Sequence, residues 1–107
     1  MELQSVGQII ATRRINTEGS KEPVYVVNIG LPQKFPDSPD FYCPVEIASS
    51  SGKGARILYS GGIDAIQALQ LAMGMIGGAL FRLNEECGGK LRWDGDESGD
   101  LGFPLPE

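Results

Sequence analysis

The sequence predicts an α+β domain in which an antiparallel meander of four to five strands packs one face against a single long helix (ββββα plus a short strand). Three observations carry this. Four segments before residue 61 alternate apolar and polar residues with period two and are separated by turn-forming stretches. One later stretch, GGIDAIQALQLAMGMIGGALFRLNEEC at 61–87, is long and apolar enough to serve as a core helix. The chain has 107 residues, a single-domain length that buries roughly two thirds of the surface exposed when unfolded. Residues 1–107 therefore read as one domain, with 94–107 as an acidic turn and a proline-containing tail.

The first strand, 5–16 (SVGQIIATRRIN), places Ile9, Ala11 and Ile15 on one face. The cluster at 17–22 is a turn in which Gly19 is free to take positive φ, and Pro23 suits a strand start. In 24–31 (VYVVNIGL), Tyr25, Val27, Ile29 and Leu31 share one face, while Val24, Val26 and Asn28 take the other. The short link makes an antiparallel hairpin the natural pairing. Pro32, Pro36 and Pro39 then exclude regular structure, so this segment reads as a stiff surface loop. In 41–48 (FYCPVEIA), Phe41, Cys43, Val45 and Ile47 point inward and Tyr42, Pro44 and Glu46 outward; Pro44 places the strand at a sheet edge or faces away from its neighbour. After the loop SSSGKG, residues 55–60 form a fourth strand with Ile57 and Tyr59 alternating against Arg56 and Leu58. Lys90–Trp93 alternates as a short fifth strand at a sheet edge.

The helix begins after Ser60-Gly61-Gly62, where serine or glycine can cap and Asp64 complements the positive end of the dipole. Gly88-Gly89 is a left-handed stop signal. At 1.5 Å per residue the helix spans about 35 Å, enough to cross the sheet. Set at about 100° per residue, Ala65, Ala68, Leu69, Ala72, Met73, Met75, Ile76, Ala79, Leu80 and Leu83 form the sheet-facing arc. The opposite arc carries Gln67, Gln70 and Glu85 with Gly74, Gly77 and Gly78, flanked by Ile63, Leu71 and Phe81. Each interior glycine costs about 1 kcal/mol relative to alanine. Three readings stand: simple tolerance, a break at Gly77-Gly78, or a shallow groove for another backbone. A transmembrane span is disfavoured because Asp64, Gln67 and Gln70 would sit in lipid without basic flanks.

A net charge of −5, with nine scattered basic residues of which only Arg13-Arg14 are adjacent, argues against nucleic acid as a partner. The N-terminal stretch has no apolar run of signal-peptide length, so a cytoplasmic location is expected, with Cys43 and Cys87 as buried thiols. Catalytic material is sparse. No histidine occurs, which removes the usual general base and the commonest transition-metal ligand. Cys43 has no activating base, and Ile47 stands where a phosphate loop needs its first glycine. Asp94, Asp96, Ser98 and Gly99 mimic the start of a calcium loop, but Leu105 occupies the position of the bidentate Glu and Pro104 and Pro106 forbid the next helix. The expectation is no enzyme, no metal and no cofactor.

The segments FYCPVEI, GGIDAIQALQLAMGMIG and DLGFP resemble an uncharacterised family of small bacterial proteins about 100 residues long, a domain of unknown function. The resemblance covers most of the chain and implies a free-standing cytoplasmic domain of bacterial origin. It brings no activity and no catalytic residues.

The function expected is a non-enzymatic protein-interaction module, self-associating or neutralising a partner in the manner of an immunity protein against a basic toxin. Its contact candidates are Gln67, Gln70, Leu71, Gly74, Gly78 and Phe81. The alternative is a small-molecule or anion-binding domain using Ser60, Gly61 and Gly62 at the helix start together with the proline-rich loop, Tyr42 and Tyr59. Leu101, Phe103 and Leu105 fall on alternate positions with proline between, an extended apolar ribbon, which is expected to dock on the body or on a neighbour.

Overall fold

Short links between alternating segments make neighbours in sequence neighbours in the sheet, and the first pair is a hairpin. β1 (Ile9–Thr17) and β2 (Pro23–Gly30) run antiparallel. In their turn Gly19 takes φ +80° and the Ser20 N–H donates to the Thr17 carbonyl at 3.0 Å. β3 (Gln33–Lys34), β4 (Phe41–Ser49), β5 (Ala55–Gly62), α1 (Ala65–Glu86) and β6 (Leu91–Arg92) follow. The structure, a computed structural model, describes residues 1–52, 55–94 and 96–105. Lys53 and Gly54 of the 49–54 loop, Gly95 of the acidic turn, and Pro106 and Glu107 of the tail lie outside the described residues.

The fold is α+β: one antiparallel sheet of six strands packed against one helix. The four long strands form the meander β1-β2-β4-β5, and β6 pairs with the far side of β1 at Asn16–Thr17. The proline-rich segment is not wholly irregular, because β3 pairs Gln33 with Tyr42 and Lys34 with Phe41. β5 occupies one side of β4 along its length, so β2 and β3 share the other side.

That break accounts for Pro44, which is buried within the sheet and not at its edge. The β2–β4 ladder stops at the Ile29–Val45 pair and the β3–β4 ladder starts at Gln33–Tyr42. Pro44 sits in the gap, where no ladder partner on that side needs its missing N–H. Gly30 admits this packing, because a Cβ there would overlap the Val6 carbonyl and lie 2.7 Å from the Pro44 ring.

The inner face of the sheet carries Ile15, Val27, Ile29, Cys43, Val45 and Ile47, all buried. Ala68, Ala72, Ile76, Ala79 and Leu80 of α1 close over it. Fully burying a side chain of the Val, Leu or Ile size contributes about 1.5–3 kcal/mol, so this layer is the principal stabilising contact. α1 packs mainly across β4 and β5 and does not cross the whole sheet. Ile9 and Ala11 are consequently exposed, and of the expected inward residues of β1 only Ile15 is buried. Leu91, Trp93, Leu101 and Phe103 join the same core, and Trp93 and Phe103 pack against Arg13 of β1.

Pairing with β4 decides which face of β5 turns inward. Val45 stands opposite Leu58 and Pro44 opposite Tyr59, so Leu58 joins the core and Ile57 and Tyr59 turn to the outer face. There Tyr59, Tyr42 and Phe35 form an aromatic cluster with centroids 5.2–6.0 Å apart. Beside it Thr12 donates to Asn28 at 2.7 Å and Asn28 to Glu46 at 2.9 Å, a polar row across three strands.

α1 runs unbroken through Gly77-Gly78. Asp64, in extended conformation, is its N-cap. The Asp64 carboxylate accepts from the Gln67 N–H and the Gln67 side-chain oxygen accepts from the Ile63 N–H, both at 2.8 Å, a close variant of the capping box. At the other end Gly88 and Gly89 take φ +69° and +78°. Their N–H groups donate to Glu85 and Asn84 carbonyls, the paired bonds of a Schellman stop. The helix is long and apolar enough to cross a bilayer by length and composition, and here its apolar arc is the one laid on the sheet.

Candidate functional site

Because α1 gives its alanine-rich arc to the core, its opposite arc is presented outward, and this is where the expected contact residues lie. Gln70, Leu71 and Phe81 are exposed, and Gly74 and Gly78 are half-buried. Nothing lies within 4 Å of the position a Gly74 Cβ would take. Leu71 and Phe81 are each 51% exposed, and Ile63 and Ile66 reach 73% and 69%. Gln67 has a structural task as well, since its side chain completes the N-cap. Ile66 was not among the expected contacts, because it sits at the border of the two arcs where periodicity alone does not choose a side.

Gly77 differs from its neighbours. A Cβ there would overlap the Pro104 carbonyl and lie 3.4 Å from Phe103 Cβ, and the residue is buried. The 101–105 segment, which bends at Gly102 and Phe103, thus passes against bare helix backbone. Its three apolar residues are treated differently: Leu101 is buried, Phe103 is half-buried against the core and Leu105 is 58% exposed. Between this segment and α1 lies a cavity of about 450 Å³, bordered by Leu80, Phe81, Asn84, Asp100, Phe103 and Leu105.

Arg13 is part of the same corner. It stands on the inner face of β1, where the helix does not reach, and its guanidinium lies 3.8 Å from the Trp93 ring centroid and 4.9 Å from that of Phe103. It also donates to the Leu101 carbonyl at 3.1 Å. Trp93 in turn donates through its indole N–H to the Asp100 carbonyl at 2.9 Å. Arg13 thereby ties Trp93, Leu101 and Phe103 to β1, and the indole bond holds Trp93 to Asp100. Sequence inspection missed this role, since Arg13-Arg14 reads only as a basic pair; the alternation that puts Arg13 on the face of Ile15 was the available signal.

Residues 11–105 match the family described as "Domain of unknown function (DUF6968)". The chain belongs to that family. No curated protein and no solved structure matches it.

The other expected site of this DUF6968 domain is placed differently from its premise. Ser60, Gly61 and Gly62 are in β5, opposite Cys43, Tyr42 and Phe41, and so do not offer N–H groups at a helix start. Asp64 holds that start and sets a carboxylate where an anion would bind. Tyr42 and Tyr59 are together, but in the outer aromatic cluster with Phe35. In the acidic turn, Asp96 accepts from the Ser98 hydroxyl and N–H at 2.6 and 2.8 Å, and these bonds hold its carboxyl below the usual range. Cys43 is fully buried and burial pushes its thiol pKa up, which disfavours the reactive thiolate.

Proposed function

We propose that this DUF6968 domain is a non-enzymatic protein-interaction module that self-associates through the outward face of α1. The observation that carries this reading is the open position at Gly74 on the outward arc of α1 that also carries Leu71 and Phe81, each more than half exposed. Large apolar side chains clustered on one exposed face signal a contact surface, and a bare helix position lets a partner approach the backbone closely. Gln70 at the centre of the face supplies hydrogen bonds that orient the contact.

Light scattering over a dilution series tests it. The native chain is expected to show a concentration-dependent dimer mass, and Leu71→Glu with Phe81→Glu is expected to hold the chain at monomer mass while its circular dichroism spectrum stays native. A native chain that remains a monomer up to about 1 mM, where even weak association registers, would sink the reading.

A further inference from the structure

We infer that the cavity between α1 and the tail segment 99–105 is a binding site for a small organic amine, an ammonium group carried on an apolar body; this goes beyond self-association and does not depend on it. Ligand sites are concave, mostly apolar and about 300–1,000 Å³ in volume, with a few fixed polar groups that set orientation. The cavity, about 450 Å³, falls within that range. Leu80, Phe81, Phe103 and Leu105 give it apolar walls, and Asn84 and Asp100 are the polar side chains on its border.

Both polar side chains are held by one bond each and keep capacity to spare. The Asp100 carboxylate accepts from the Gly102 N–H at 2.8 Å, which fills one of about four acceptor sites on an ionised carboxylate. Among the described residues no Lys or Arg is paired with it. The Asn84 side-chain oxygen accepts from the Leu91 N–H at 2.9 Å, so the amide nitrogen of the same side chain, a donor only, is the part left for a ligand.

Charge selects the ligand. The cavity reaches Asn84 in the last turn of α1, where the negative end of the helix dipole favours a cation. That turn carries Glu85 and Glu86 and no basic residue. Arg13, the cation of this corner, is engaged by the rings of Trp93 and Phe103 and by the Leu101 carbonyl, so it is not free to hold an anion. An anion would be repelled by Asp100 and by the helix end together, and a neutral apolar molecule would leave the carboxylate without a partner. An ammonium beside Asp100 gains a charge-assisted hydrogen bond, and the rings of Phe81 and Phe103 are favourable neighbours for it. The apolar body covers Phe81 and Leu105, which are 51% and 58% exposed.

The test is titration of the isotope-labelled chain with phenylalaninol, followed by amide NMR, beside phenylpropanol, which lacks the amine, and phenylpropionate, which carries the opposite charge. Phenylalaninol is expected to bind with a Kd of about 1 mM and to give saturating shifts at the Asn84 side-chain amide, at Leu101 and Phe103, and at the indole N–H of Trp93, which donates to the Asp100 carbonyl. Phenylpropanol is expected to bind several-fold more weakly and phenylpropionate more weakly still. Asp100→Asn keeps an acceptor for the Gly102 N–H and removes the charge; it is expected to weaken phenylalaninol about three- to tenfold and to leave phenylpropanol unchanged. Glu97→Gln, at an exposed carboxylate outside the cavity border, is expected to change neither. Shifts absent up to about 20 mM phenylalaninol, or spread over the acidic surface in place of the cavity, overturn the site. Equal binding of the three probes, or equal weakening by Asp100→Asn and Glu97→Gln, overturns the assignment of the ligand as an amine.

Discussion

Gly74 and Gly77 lie three residues apart on one helix, so replacing each with alanine changes local propensity equally but meets opposite surroundings. Alanine is favoured over glycine in a helix interior by about 1 kcal/mol. At Gly74 the new methyl enters open space, and Gly74→Ala is expected to collect that gain, raising Tm by about 5 °C for a domain of this size. At Gly77 the methyl overlaps the Pro104 carbonyl, so the 101–105 segment must shift. Leu101 and Phe103 then lose part of their burial; half the value of two such side chains is about 2 kcal/mol, twice the propensity gain. Gly77→Ala is expected to be net destabilising by about 1 kcal/mol and to lower Tm by about 5 °C. Thermal and urea denaturation of both variants checks the sign. Equal stabilisation by the two substitutions would refute the reasoning, because it would mean that Pro104 does not press on Gly77.

Two further outcomes follow from named contacts. Arg13→Ala removes the cation between Trp93 and Phe103 and the donor to Leu101; a loss of about 1–2 kcal/mol is expected, together with a change in the emission of Trp93, the chain's one tryptophan, and Arg13→Lys should restore only part of both. Burial raises the Cys43 thiol pKa, and burial followed by the charges of Cys87 and Glu86 raises that of Tyr25. Both groups are therefore held neutral more firmly when folded than when unfolded. Their contribution is fully present below the unfolded pKa values and is lost as pH rises toward the folded ones, so stability should fall in the alkaline range above about pH 9. Cys43→Ala should flatten the early part of that decline in pH-dependent urea melts; an unchanged slope would exclude Cys43 as its source.

The parts of the fold that could be read from sequence are those where only one choice buries apolar surface. In β4 Cys43, Val45 and Ile47 alternate with Pro44 and Glu46, and in β2 Val27 and Ile29 fall on the face opposite Asn28, so these five are legible as core, and the same holds for the alanine and leucine arc of α1. β5 offers Ile57 and Tyr59 on one face and Leu58 on the other, so alternation alone cannot choose; the pairing of Val45 with Leu58 does. Alternation is equally blind to how far a covering helix extends, which is why Ile9 and Ala11 look buried in sequence and are exposed. The helix start was readable but masked by a louder signal: Asp64 and Gln67 have cap spacing, whereas the glycine pair before them belongs to the strand. Of the two places Pro44 allowed, a sheet edge or a position facing away from its neighbour, the sheet takes the second, since β2 ends at Gly30 and leaves Pro44 without a ladder partner on that side.

The glycines of α1 are where sequence reasoning stops for a physical reason. Propensity assigns Gly74, Gly77 and Gly78 the same cost, and the compensation depends on what lies over each. At Gly77 the tail backbone comes against the helix, with the Pro104 carbonyl in the space a side chain would have filled. Such an approach is closed to every other residue type. Gly74 lies less than one turn earlier with the same bare backbone and no neighbour, and the chain has retained the cost there with no packing inside the monomer to offset it. In the proposed self-association through this face, the offset at Gly74 comes from the second copy. Gly74→Ala should then stabilise the isolated chain and weaken the dimer at once, a pair of opposite signs that mere tolerance of glycine would not produce.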